Sequence, residues 1–127
     1  MLISINENNN RPIYLQILNQ IKEQVSNGTL KPQDELPSVR ELAESLGINM
    51  HTVRSAYLKL RDQGIINMRL GRRARIAPLQ PIPTSADAVS ELTLRMKEVI
   101  NDAYFMGFSS ADLHNLFNEQ LDKLREH

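Results

Sequence analysis

Two runs of helically spaced apolar residues, separated by only Gly47-Ile48, limit what this chain can fold into more than any other feature. Ser38 opens the first run with Glu41 three residues on, the spacing of a capping box that satisfies two otherwise orphaned N–H groups. Val39, Leu42, Ala43 and Leu46 face inward, and Gly47 stops the helix. Asn49 then caps a second helix whose inward residues are Val53, Ala56, Tyr57 and Leu60, and Gly64 ends it. Two short helices joined by a tight turn containing Gly form a helix-turn-helix. Residues 65–69 read as a strand, Leu70-Gly71-Arg72 as a turn and residues 74–77 as the returning strand. A hairpin at that point makes the unit a winged helix-turn-helix.

Upstream, Leu2, Ile3 and Ile5 form a short apolar alternation, a strand or arm, followed by an Asn-rich loop. Pro12 suits the first turn of a helix. Ile13, Ile17, Ile21 and Val25 then recur every four residues with Leu18 beside them, and Asn27-Gly28 closes that helix. Residues 30–37 are a connector punctuated by Pro32 and Pro37. Downstream, Pro78, Pro81 and Pro83 mark a boundary that no helix or strand ladder continues across. Beyond it Val89, Leu92, Met96, Val99, Ala103 and Met106 follow the spacing of a helix seam, and Gly107 breaks the helix. Leu113, Phe117, Leu121 and Leu124 line a shorter helix after it.

The expected architecture is therefore mainly α with a small β-hairpin. A winged helix-turn-helix spans residues 1–77, a proline-rich linker 78–83, and a two-helix hairpin 84–127. A hairpin of about 44 residues is too small to hold a stable core alone. Its stripes must meet the N-terminal domain or a second copy, and a symmetric dimer is the simpler assumption.

Composition removes several function classes. The 127 residues hold 15 Lys+Arg, 15 Asp+Glu, three His and no Cys, with 41% hydrophobic and 24% charged residues. That is globular composition, and it excludes disulfide scaffolds, Cys-ligated zinc and thiol nucleophiles. The start lacks a basic region followed by an apolar run, and no stretch approaches the roughly 18 apolar residues of a membrane helix. A soluble, cytoplasmic protein with no membrane partner is expected. The zero net charge hides an uneven distribution. Residues 38–77 carry eight basic and three acidic side chains, a net of +5, between segments of net −1 and −4. A basic middle fits a polyanionic partner. No nucleophile elbow, phosphate-binding Gly-rich loop or metal-spaced His/carboxylate set occurs, so no enzyme activity, metal or cofactor is expected.

In a helix-turn-helix the N-terminal residues of the second helix meet base edges. Here the outward set is Asn49, His51, Thr52 and Arg54. Arg pairs bidentately with guanine, Thr bonds a phosphate or touches a thymine methyl, and Asn bonds either phosphate or base. Asn49 is equally a plain helix cap, and His51 an exposed histidine without a role. Arg40 sits where the start of the first helix of the pair approaches the phosphate backbone. The hairpin tip holds Arg72 and Arg73, with Arg69 and Arg75 on its strands. Charges on a ribbon deter strand pairing between molecules. Four arginines in seven residues exceed that need and suit the minor groove or its phosphates.

Pro12-Ile13-Tyr14-Leu15-Gln16-Ile17, Leu30-Lys31-Pro32, Leu36-Pro37-Ser38-Val39-Arg40-Glu41-Leu42-Ala43 and Thr52-Val53-Arg54, followed in order by Tyr57, Leu60, Gly64 and Gly71, form a pattern that resembles the GntR family of bacterial transcription regulators. The resemblance covers about residues 11–77, and the short helical tail is similar to that of the YtrA subfamily. It implies a homodimeric repressor on a palindromic double-stranded DNA operator, often beside transporter genes and often controlling its own operon. It also implies DNA contacts from Arg40, from residues 49–54 and from Gly71, whose backbone would approach the groove. The chain departs from the family at the wing, where Gly71-Arg72-Arg73-Ala74-Arg75-Ile76 replaces Gly-Arg/Lys-Gly-Thr-Phe-Val. Met50 stands where many relatives place a polar or basic residue or a proline, and Gln33 replaces the glycine of a Lys-Pro-Gly-Asp loop.

Two rival functions compete with the regulator. One is a winged-helix module binding an acidic protein, the other a nonspecific DNA-binding protein. A small-molecule effector, bound between the domains or at the dimer interface, would add to the main reading. One chain's tail is too short for a sizeable pocket of its own, given volumes of about 300–1,000 Å³ for such sites.

Overall fold

The computed structural model describes residues 1–78 and 85–125. They form α1 (Ile13–Ser26), α2 (Val39–Leu46), α3 (Met50–Asp62), β1 (Ile66–Asn67), β2 (Arg75–Ile76), α4 (Ala86–Phe105) and α5 (Ser110–Arg125). The chain divides into two compact units, Met1–Leu79 and Gln80–His127. Apart from Pro78, the expected linker lies outside the described residues.

In the first unit α1 and α2 both pack on α3. Ile17 and Ile21 of α1, Leu42 and Ala43 of α2, and Val53, Ala56, Tyr57 and Leu60 of α3 close one core. These are the positions the helical spacing selects. Ser38 caps α2, its hydroxyl accepting the Glu41 N–H at 3.1 Å. Gly47 ends α2 in the left-handed conformation (φ 68°), which lets Asn49 start α3 two residues later.

The hairpin is shorter than residues 65–69 and 74–77 would allow: only Ile66 pairs with Ile76 and Asn67 with Arg75. A third segment also pairs with β2. The connector lies along the far edge of β2, with an antiparallel bridge between Glu35 and Arg75. Gln33 N–H donates to the Ile76 carbonyl at 2.8 Å, Ile76 N–H to Asp34 at 2.9 Å, and Leu36 N–H to Ala74 at 2.8 Å. Sequence patterning shows the connector as a loop because two prolines flank this pairing.

The connector also contains a strained residue. Asp34 N–H donates to the Lys31 carbonyl at 3.0 Å, closing a turn with Pro32 second and Gln33 third. Gln33 has φ 75°, the left-handed value that a turn of this type reserves for glycine. Gln33→Gly should therefore stabilise the fold. Relief of about 1–2 kcal/mol of left-handed strain is offset by the greater entropy of an unfolded glycine, about 0.5–1 kcal/mol. The expected net gain is about 0.5–1 kcal/mol in urea unfolding; a lowered midpoint would refute the strain.

The expected strand or arm at the N-terminus is an arm. It runs extended along α1 and is held by three glutamines one helical turn apart. Gln16 Oε1 accepts the Asn6 N–H at 2.9 Å and Gln20 Oε1 the Ser4 N–H at 3.0 Å, while Gln24 Nε2 donates to the Leu2 carbonyl at 2.7 Å. The match is metric: four helical residues rise about 6 Å and two extended residues about 6.6 Å. Ile3 and Ile5 thereby turn onto the core.

The second unit is the expected helical hairpin. Ser85 caps α4 through the Ala88 N–H, and Phe108 N–H returns to the Ala103 carbonyl at 3.0 Å to close its C-terminus. Ser109 and Asp112 exchange N–H bonds at 2.9 and 3.1 Å, a capping box that starts α5. The Ser109 backbone and hydroxyl hold the Asp112 carboxyl below the usual carboxylate range. Only Ala103 is buried among the described residues of this unit, with Leu113 and Leu121 half-buried. Val89, Leu92, Met96, Val99, Met106, Phe117 and Leu124 are exposed. Between α4 and α5 lies an open cleft of about 800 Å³, walled by Leu92, Met96, Val99, Phe108, Leu113 and Phe117. The expectation that one tail is too short for such a volume is corrected: the helices enclose a cleft instead of a packed seam.

Candidate nucleic-acid interface

The core fixes which side of α3 is free. With Val53, Ala56, Tyr57 and Leu60 buried, Asn49, His51 and Arg54 face solvent and Thr52 is half-buried. Asn49 does act as a cap: its Oδ1 accepts the His51 N–H at 2.7 Å, which leaves its amide NH₂ without a partner among the described residues. The side chains of Arg54, and of Arg40 on the first turn of α2, have no hydrogen-bond or ion-pair partner among the described residues.

The arginines of the wing fall into two classes. Arg75 donates to the Gln33 carbonyl at 3.0 Å and to Glu35 at 2.5 Å. Arg73 pairs with Glu41 of α2 at 2.6 Å. The Ser38 hydroxyl first, and then Arg73, hold the Glu41 carboxyl below its ordinary range. These two arginines, both half-exposed, fasten the wing to the connector and to α2. Of the four wing arginines, Arg73 and Arg75 are thus paired within the protein. Arg69 and Arg72 are the free pair, exposed and without side-chain partners among the described residues. The carboxylate partners lie 32 and 40 residues away in sequence, so no local pattern could have sorted the arginines.

The wing tip is a four-residue turn closed by Arg72 N–H to the Arg69 carbonyl at 3.1 Å, with Gly71 third at φ 75°. Beneath it an open cleft of about 350 Å³ is lined by Ser38 and Val39 at the start of α2, Tyr57 of α3, and Arg69, Gly71 and Arg72. Arg40, Arg69 and Arg72 thus surround the junction of α2 with the wing. Tyr57 supports this junction from below: its hydroxyl donates to the Pro37 carbonyl at 2.7 Å, and burial pushes its ionisation far above the ordinary phenol range.

A free recognition-helix face, a helix N-terminus and a cationic wing are the parts of a duplex-binding domain. The family model for bacterial regulatory proteins of the gntR family matches residues 13–76. The chain belongs to the GntR family. Its likeness to YtrA-type members extends beyond the DNA-binding domain. It is 36% identical to the HTH-type transcriptional repressor YtrA of Bacillus subtilis (strain 168), over 93% of this chain and 91% of that protein. Among solved structures, a transcriptional antiterminator from Listeria monocytogenes EGD-e superposes with TM-score 0.86 at 33% identity, covering 98% of this chain and 93% of that one. YtrA from Sulfolobus acidocaldarius, a GntR-family transcription factor, gives TM-score 0.64 at 37% identity, covering 80% and 99%. This GntR-family chain is a transcription regulator with a DNA-binding domain, not an enzyme. Among the described residues no cluster of His, Asp or Glu could hold a metal, and no helix is long and apolar enough to cross a membrane.

Proposed function

We propose that this chain is a cytoplasmic homodimeric repressor that reads a palindromic operator. The observation that carries the reading is the exposed polar start of α3, with Arg54 free, beside a wing whose two unpartnered arginines flank its tip. Arg54 and Asn49 meet bases or phosphates in the major groove. Arg40, Arg69 and Arg72 meet the backbone or the adjacent groove, and His51 and Thr52 complete the contact set. Gly71 brings the wing backbone close.

The dimer follows from the hairpin. Soluble monomers rarely expose apolar patches beyond a few hundred Å², and α4 and α5 present large apolar side chains along most of their length. A second hairpin entering the cleft converts that surface into a four-helix core under two-fold symmetry, which leaves the cleft to the partner and not to an effector. Two-fold symmetry in the protein then calls for an inverted repeat in the DNA.

Selection of bound duplexes from a random pool at physiological salt tests the reading, because nonspecific binding is weak there. An inverted repeat is expected, and searching the genome with it tests control of the chain's own operon and of neighbouring transporter genes. Recovery of no motif would favour the interaction-module or nonspecific alternatives. On the selected operator, Arg54→Ala and Arg40→Ala should each cost about 1–3 kcal/mol. Arg40→Ala should weaken random duplexes equally, whereas Arg54→Ala should relax sequence preference. Unchanged affinity in both variants would remove these two contacts.

A further inference from the structure

Leu70 occupies the second position of the wing-tip turn and is fully exposed. Nothing in the turn requires leucine there: that position takes ordinary backbone angles, and proline or small polar residues serve it well. A single exposed leucine on a surface is unexceptional, but this one stands between the two wing arginines whose guanidinium groups have no partner among the described residues. The returning limb behind it is anchored by Arg75 to Glu35 of the connector and by Arg73 to Glu41 of α2. The tip is therefore an apolar point between two cations on a braced ribbon.

That chemistry does not suit a protein partner. A specific protein interface needs about 1,000 Å² and an apolar centre, whereas Met68, the nearest apolar side chain before the tip, is half-buried against the core. It does suit the minor groove of a duplex, whose negative potential attracts arginine and whose base steps yield to an inserted apolar side chain. Building on the regulator reading, we propose that Leu70 is a minor-groove wedge. Its side chain presses into a base step while Arg69 and Arg72 hold the flanking phosphates. Part of the operator's specificity then comes from how easily that step deforms. Pyrimidine–purine steps, TA above all, unstack most readily and should be preferred beneath the wing.

The test uses the full chain on its selected operator, with Leu70→Ala and Leu70→Met, and reads both affinity and DNA bending by end-to-end fluorescence transfer. Leu70→Ala should lose about tenfold on the operator, a typical single-contact loss. It should also bend the operator less, keep wild-type affinity for random duplex and keep the wild-type salt slope. Leu70→Met, still apolar, should retain most of the affinity and the bend. Replacing a TA step under the wing by GG should weaken the wild type but not Leu70→Ala. Because Leu70 is exposed, all variants should melt with the wild type. Equal affinity and bending in Leu70→Ala and wild type would overturn the wedge, as would an equal loss on operator and random DNA. If the wild type selects no sequence, the regulator reading fails on its own account. The wedge is then decided by whether wild type bends a random duplex more than Leu70→Ala does.

Discussion

On the dimer proposed above, Val99→Asp should leave the protein monomeric at micromolar concentration and weaken binding to a two-half-site operator by on the order of a hundredfold. Val99 lies on the α4 face that walls the open cleft and is 64% exposed in the single chain. A carboxylate at that position would be buried without a partner in the four-helix core. Stranding a buried charge costs about 3–5 kcal/mol, and a symmetric dimer strands two, which raises the dimer dissociation constant by a factor on the order of 10⁴–10⁷. The monomer retains its DNA-binding unit, whose core lies entirely within residues 1–78. Affinity for a single half-site should therefore be nearly unchanged while the gain from joining two half-sites is lost. Sedimentation velocity and titrations against full and half operators separate the two effects. Glu98→Ala, one residue away on the outward side of α4, is the control and should remain dimeric. A Val99→Asp protein that still sediments as a dimer with wild-type operator affinity would place the interface elsewhere.

What was legible in the sequence followed from periodicity. The inward residues of α1, α2 and α3 are the ones named by helical spacing, and Ser38, Gly47, Asn49 and Gly107 mark helix ends where capping chemistry places them. Pairings between distant segments were not legible. The connector's union with β2 joins residues about 40 positions apart, and local alternation carries no record of such a partner. The same holds for Arg73 and Arg75, whose carboxylates come from α2 and from the connector. A third class was visible but unread: Gln16, Gln20 and Gln24 recur every four residues opposite an alternating arm. Their amides serve as a ladder for extended backbone, a use that polar residues on a helix face do not announce. The Ser109–Asp112 capping box also stood in the sequence as Ser-x-x-Asp. For the candidate site, residue types and helix position gave the free cations Arg40, Arg54, Arg69 and Arg72. Only the fold could tell them from the tethered pair.

Tyr57 ties this arrangement together, so its truncation should have the largest effect on stability. It is 1% exposed, its ring packs in the core between α2 and α3, and its hydroxyl donates to the carbonyl of Pro37, the residue that leads into the cap of α2. Tyr57→Ala empties a site of aromatic size and should cost about 3–5 kcal/mol in urea unfolding, a large share of the stability of so small a domain. Tyr57→Phe preserves the ring but strands the Pro37 carbonyl, at about 1–3 kcal/mol. Because burial raises the phenol's ionisation well above the ordinary range, the hydroxyl remains a donor through neutral and moderately alkaline solution. The stability difference between the wild type and the Tyr57→Phe variant should accordingly be independent of pH from neutral to moderately alkaline solution. The two variants also separate packing from positioning. Pro37 sets where α2 begins, and with it where Arg40 meets the duplex and Glu41 meets Arg73. Under conditions where Tyr57→Phe is fully folded, operator affinity should still fall several-fold, on the scale of one weakened hydrogen-bonded contact. Wild-type affinity in the folded Tyr57→Phe protein would mean that the hydroxyl stabilises the domain without orienting its DNA-facing residues. Unchanged stability in Tyr57→Phe would mean that water replaces the lost donor at Pro37.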